Sequence, residues 1–203
     1  MRQPTLWQID LIPWYAFAAY WAIKYLRVKP TKTAEPLAGR VLTIVSLAFA
    51  FELLFDNRLR LGLLDGRFLP DCPEIGWVGI ALTTLGVAVA IWARYCLGQY
   101  WSARVTLKEG HQIIRSGPYR FMRHPIYTGM LLATMGTAMV VGQWRGALAV
   151  TLLLVVHSLK ARREERLLIS EFGEEYATYR RSTGFLFPRL RSGGRMDTPN
   201  AGS

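Results

Sequence analysis

Polar residues are sparse in five stretches of this chain and crowded between them. Leu6 to Leu26, Gly39 to Phe55, Ile75 to Leu97, Pro125 to Val141 and Gly146 to Leu159 are apolar runs of helix length. Crossing a bilayer takes about 20 such residues, fewer where the ends snorkel or the bilayer thins. The first and third runs meet that length outright, and the second carries Glu52. The fourth and fifth are short and separated by a turn around Gly142 to Arg145, which predicts a tight helical hairpin whose last helix continues beyond the bilayer. The expected fold is an all-α integral membrane protein with about five transmembrane helices, near 6–26, 39–55, 75–97, 125–141 and 146–159.

Residues 1–97 then hold the first three helices, and 98–190 hold the hairpin with its flanking connections. Residues 191–203, RSGGRMDTPNAGS, lack apolar content and are expected to be disordered. Small residues at four-residue spacing, Gly129, Ala133 and Thr137 on the fourth helix and Gly86 and Ala90 on the third, predict close helix approach. Trp14, Trp21, Trp77, Trp92 and Trp101 fall mostly toward segment ends, as in interfacial aromatic belts.

Charge adds an orientation. The net charge is +11, and 20 of the 25 Lys and Arg lie in three stretches, Lys24 to Arg40, Arg94 to Arg123, and Lys160 onward. In a five-helix arrangement these share one side, which the positive-inside rule makes cytoplasmic, with the N-terminus outside and the C-terminus inside. The basic excess therefore points to topology and membrane lipid as partner, not nucleic acid. Positive charges follow the first apolar run instead of preceding it, which argues for a retained span over a secretory signal. Cys72 and Cys96 give neither a disulfide framework nor metal-ligand spacing, so no metal is expected. The expected location is the cytoplasmic membrane, multi-pass, with the working surface facing the cytoplasm.

Between the third and fourth runs lies Arg115 to Gly129, RSGPYRFMRHPIYTG. Pro125 suits the first turn of a helix and makes His124 its cap, with the first-turn amides at Ile126 and Tyr127 and the positive end of the helix dipole beside it. Ser116, Gly117 and Pro118 form a turn that brings Tyr119 and Arg120 back toward that helix end. The outcome is a cationic, amide-rich pocket able to take an anionic group. On the last helix His157, Lys160 and Glu164 share one face, and ionisable side chains at such depth face a cavity or one another. The run Arg162 to Arg166 reads as a solvated helix surface.

These motifs carry a resemblance. His111-Gln-Ile-Ile, Ser116-Gly-Pro-Tyr119, Arg123-His-Pro-Ile-Tyr127-Thr-Gly129, Glu164-Glu165-Arg-Leu-Leu and Phe172-Gly-Glu-Glu-Tyr176-Ala-Thr-Tyr179 occur in order between about Gln99 and Pro188. In this the chain resembles the isoprenylcysteine carboxyl methyltransferase family. The resemblance implies an integral membrane enzyme using S-adenosyl-L-methionine, enclosed by the loop before the fourth helix, that helix's start and the C-terminal segment. By position it implies cofactor contacts at His111, Gln112, Ile113, Ile114, Tyr119, His124, Pro125, Ile126, Tyr127 and Glu164. Eukaryotic members place an arginine near the substrate four residues before that acid; here the position is Lys160, the candidate catalytic residue. Lysine neutralises a carboxylate without the planar fork that holds it bidentately.

The expected acceptor is a lipophilic small molecule or a lipidated group arriving sideways from the bilayer. A carboxylate acceptor is already ionised at neutral pH and needs no base, whereas an amine or thiol would call on His124, His157 or Glu165. The rival readings are phospholipid amine or thiol methylation, an NADPH-dependent membrane reductase, and a membrane scaffold without activity.

Overall fold

The computed structural model describes residues 5–25, 31–34, 37–56, 61–98, 106–108 and 113–189, with side chains at 5–24, 41–56, 61–98 and 113–189. The helices are α1 (Leu6–Tyr25), α2 (Leu37–Phe55), α3 (Pro73–Leu97), α4 (Pro125–Val141), α5 (Trp144–Phe172) and α6 (Glu174–Ser182). Helices carry the architecture. A short antiparallel pair, β1 (Thr31–Ala34) with β2 (Thr106–Lys108), links the connection after α1 to the one after α3. Residues 191–203 lie outside the described residues.

Local chemistry sets the helix ends. Pro73 and Pro125 open α3 and α4 in the first turn, where a missing amide hydrogen costs no helical bond. Gly142 closes α4 in the left-handed conformation at φ 68°, with its amide donating to the Ala138 carbonyl. Within α2, Glu52 is exposed while Leu53 and Leu54 are buried, so the helix turns its one acid away from the core.

Among the described residues two helices, α3 and α5, are long and apolar enough to cross a membrane, and Val41–Phe55 and Pro125–Val141 are shorter apolar helices. The first run, expected from its length to span, is not among them. Gln8, Asp10, Lys24 and its tyrosines and tryptophans dilute the aliphatic residues of α1. Asp10 is 1% exposed; its Oδ2 accepts from Thr137 Oγ1 at 2.7 Å, and Trp14 Nε1 donates to the same hydroxyl at 2.9 Å. One oxygen of this buried acid thus meets a polar group on α4, as burial of a polar side chain requires.

The tightest packing is between α3 and α4, which run antiparallel with glycines facing glycines. A Cβ at Gly129 would lie 2.6 Å from the Gly86 carbonyl oxygen, and one at Gly79 would lie 2.7 Å from that of Gly136. The small-residue spacing read from the sequence is thus a backbone-to-backbone contact. Against this pair, Trp14 of α1 packs with Val87 and Ala133. On the other side Ala50, Leu53 and Leu54 of α2 join Leu131, Ala138, Ala149 and Leu153 of α4 and α5.

Contacts at both ends give the helices alternating directions. At one end the Phe68 amide donates to the Gly142 carbonyl at 2.9 Å and Arg145 Nη1 donates to the Asp56 carbonyl at 2.6 Å, uniting the α2–α3 connection with the α4–α5 turn. At the other end lie the β1–β2 pair and the loop before α4, with the site described next.

Candidate active site

Residues 113–125 are held from three sides. The 3-10 turn Gly117–Arg120 buries Pro118 and Tyr119, and Gly117 at φ 57° sits so close to Cys96 that a Cβ would be 2.5 Å from its sulfur. After α5, Gly173 at φ 50° redirects the chain into α6, whose Tyr176 and Tyr179 are buried. Tyr179 donates its hydroxyl to the Tyr119 carbonyl at 2.8 Å. The segment after α6 then returns along the loop: Gly184 donates to the Phe121 carbonyl at 3.0 Å, Arg123 to the Gly184 carbonyl at 2.9 Å and His124 to the Phe185 carbonyl at 3.3 Å. Thr128 Oγ1 also donates to the Leu186 carbonyl. Residues 183–189 act as a strap that fixes the start of α4.

His124 is the N-cap residue of α4 and Pro125 follows in the first turn, as the sequence predicts. Its ring makes no cap bond. It lies instead between two acids of α5, with Nε2 3.2 Å from Glu165 Oε1 and Nδ1 3.7 Å from Glu164 Oε2. In the first turn of α4, Tyr127 is the hub. Its hydroxyl donates to Glu164 Oε1 at 2.6 Å, its ring lies parallel to His124 at 5.7 Å and meets His157 edge-on at 4.9 Å, and Lys160 Nζ sits 5.6 Å from the ring centre. The three residues read as one face of the last helix do converge, and the ring they share is Tyr127.

His157 is 5% exposed and its Nδ1 is 2.8 Å from the Leu153 carbonyl. A carbonyl only accepts, so Nδ1 carries the proton in that bond and a neutral ring keeps its lone pair on Nε2.

The second acid has a different task. Glu165 Oε1 accepts from Arg123 Nε at 2.5 Å, with both side chains under 10% exposed, and Arg123 Nη1 also donates to the Thr183 carbonyl at 2.5 Å. Arg123, His124 and Glu165 therefore lock α5, the loop before α4 and the strap together. The sequence offers Glu165 as a possible base and Arg123 as one basic residue among several. The signal was present in an arginine and a histidine side by side before a proline-started helix, with two adjacent acids in a later one. The Glu164 side chain, at 23% exposure, retains access.

Of the other expected residues, Ile113, Ile114 and Ile126 are half-buried, and Tyr119 and Pro125 are buried. His111 and Gln112 lie outside the described residues. Burial pushes the Tyr119 hydroxyl well above its ordinary pKa, assisted by the negative charge of Glu164, and burial pushes that of Tyr179 up to about 12. Both stay neutral hydrogen-bonding groups near pH 7. Among the described residues no group of three or more His, Cys, Asp or Glu could hold a metal ion.

A helical protein in which a proline-started helix faces a tyrosine-linked carboxylate has relatives that make its class specific. Residues 78–170 match the isoprenylcysteine carboxyl methyltransferase (ICMT) family, and relatives named as its methyltransferases support that match. It is 35% identical over 120 residues to the cobalt-zinc-cadmium resistance protein CzcN of Cupriavidus metallidurans, covering 56% of this chain and 52% of that one. The match thus spans about half of that relative's length. A probable protein-S-isoprenylcysteine O-methyltransferase of Oryza sativa subsp. indica is 29% identical over 139 residues, 66% of this chain and 70% of its own. Methanethiol S-methyltransferase 2 of Bradyrhizobium diazoefficiens is 44% identical over 80 residues, 39% of this chain and 30% of its own.

Proposed function

We propose that the protein is an S-adenosylmethionine-dependent methyltransferase acting on a lipophilic or membrane-embedded acceptor, in the manner of isoprenylcysteine O-methylation. The observation that carries this is the Tyr127 hub, where a carboxylate, two histidines and a lysine meet at a proline-started helix inside the family-matched span.

The donor set fits the cofactor. Its carboxylate suits the N-terminal end of α4, and its ammonium or ribose hydroxyls suit the accessible oxygen atoms of Glu164. The proposed contacts are His111, Gln112, Ile113, Ile114, Tyr119, His124, Pro125, Ile126, Tyr127 and Glu164. When bound, the cofactor supplies an electrophilic methyl group on a sulfonium. The chain's part is then chiefly positioning: Tyr127 orients Glu164, the strap keeps the helix start in place, and Lys160 neutralises and aligns an acceptor carboxylate. No base is needed for such an acceptor.

The bundle is read as five spans formed by α1 to α5, with the N-terminus outside. Residues 98–190 form the cofactor-binding region on the cytoplasmic face of the cytoplasmic membrane. The β1–β2 pair supports this sidedness, because it joins two of the basic connections at one end of the bundle.

A second reading is a small thiol acceptor, favoured by the 44% identity to a protein named methanethiol S-methyltransferase. His157 Nε2 would then take the thiol proton, its Nδ1 being committed to Leu153. Calorimetric titration with S-adenosylmethionine and with NADPH tests the class. Binding of the first alone supports a methyl transferase, binding of NADPH alone supports a reductase, and binding of neither supports a scaffold.

A further inference from the structure

The outward face of α5 carries a feature that the Tyr127 cluster does not use. A groove of about 660 Å³ lies between α5 and α6, lined by Leu159, Arg162, Arg163, Glu165, Arg166, Ile169 and Arg180. Residues 157, 160 and 164 point at Tyr127, and 162 and 166 lie on the opposite side of the same helix. The groove thus opens on the other side of α5 from the Tyr127 cluster, and Glu165, bound to Arg123 and His124, lies between the two.

Its charge is lopsided. Four guanidinium groups line it against a single carboxylate, and that carboxylate is already taken by Arg123 at 2.5 Å. Arg180 Nε forms an ion pair with Glu165 Oε2 at 3.7 Å, longer than a hydrogen bond, and the Arg180 side chain is 55% exposed. Arg162 and Arg166 are exposed as well. Planar guanidinium groups are the preferred partners of phosphate oxygens.

The groove also continues an apolar track. Leu148, Val155 and Leu159 are 39%, 50% and 47% exposed and follow one another along the face that Arg162 and Arg166 extend. The apolar part of α5 ends at Leu159, where the arginines begin. A free anion would use the arginines and leave the track idle, and an acidic protein segment would have no use for a stripe running into the bilayer.

We propose that this groove seats the phosphate head group of an anionic phospholipid, with an acyl chain lying along Leu159, Val155 and Leu148. The inference rests on α5 crossing the bilayer and not on the identity of the methyl acceptor. Bound lipid would brace α5 against α6, the two helices that carry Glu164, Glu165 and Tyr179.

The test uses the purified full-length protein in a neutral detergent, with the thermal midpoint followed as dioleoylphosphatidylglycerol, dioleoylphosphatidylcholine or inorganic phosphate is added. The wild type should show a saturable rise of several degrees with phosphatidylglycerol alone. The double variant Arg162→Gln/Arg166→Gln should lose that rise while keeping its affinity for S-adenosylmethionine, and Arg162→Lys/Arg166→Lys should keep most of it. An equal rise with phosphatidylcholine, a rise with inorganic phosphate matching that of the lipid, or an undiminished rise in the Gln variant overturns the proposal. Native mass spectrometry of the wild type from mixed lipid needs no variant: preferential retention of phosphatidylglycerol supports the site, and equal retention of both lipids overturns it.

Discussion

The Tyr127 hydroxyl donates to Glu164 Oε1 at 2.6 Å, bridging the first turns of α4 to the polar half of α5. A charge-assisted bond of this kind contributes about 1.5–3 kcal/mol. If Glu164 also holds the cofactor, Glu164→Ala should weaken S-adenosylmethionine binding by about 10- to 150-fold. Tyr127→Phe should cost less, and the two together less than their sum, because they share one bond. Calorimetry on the two single variants and the double variant checks this, and strict additivity would count against a shared role.

Glu165 should separate from its neighbour. Removing one partner of a buried ion pair costs about 3–5 kcal/mol, since the other charge is left without compensation. Glu165→Ala strands Arg123 beneath the strap and should lower the thermal midpoint in detergent well below that of Glu164→Ala. The order should reverse for cofactor affinity measured on folded protein. Equal midpoints for the two variants would contradict the division of labour.

How much of this was legible in the sequence depends on whether a feature is local. The start of α4 at Pro125, its cap at His124 and its end before Gly142 follow from single-residue backbone preferences. The convergence of His157, Lys160 and Glu164 follows from helical periodicity, and the α3–α4 seam from small-residue spacing. What sequence could not supply is pairing across distance. Nothing local marks residues 183–189 as a strap for residues 121–124, because apart from the Arg123 guanidinium on the Thr183 carbonyl the bonds are backbone to backbone and carry no side-chain signature. Likewise, that Glu165 is the more buried acid depends on the rotation of α5 against a loop some 40 residues away. Asp10, inside an apolar run, finds its partner in Thr137, far along the chain on α4.

Topology makes an independent prediction. Reporter fusions after Arg40 and after Arg191 should both read cytoplasmic, and a fusion near Asp65 should read external, because 20 of the 25 basic residues then face inward. The inverse pattern would refute the proposed orientation while leaving the helix packing intact.

Lys160 decides how far the carboxylate reading extends. With its ammonium over the Tyr127 ring, one turn from Glu164, it is placed to meet an acceptor that approaches the hub. For a carboxylate acceptor, Lys160→Ala should cut turnover with little change in cofactor affinity, and Lys160→Arg should keep or raise it through bidentate geometry. For an amine acceptor, Lys160→Ala should be neutral or beneficial, since like-charge repulsion is removed. Steady-state rates of both variants separate these cases, and full activity in Lys160→Ala would refute a substrate role.

Transfer of the methyl group itself is the most direct test. Purified protein is incubated with a membrane lipid extract, in parallel with a small thiol, and S-adenosylmethionine bearing a deuterated methyl group, and the products are read by mass spectrometry. A labelled product that forms with the wild type and is lost with Glu164→Ala is the expected result, and its identity names the acceptor. No labelled product from either source, with wild-type protein that is folded and binds NADPH in place of S-adenosylmethionine, would contradict methyl transfer as the function.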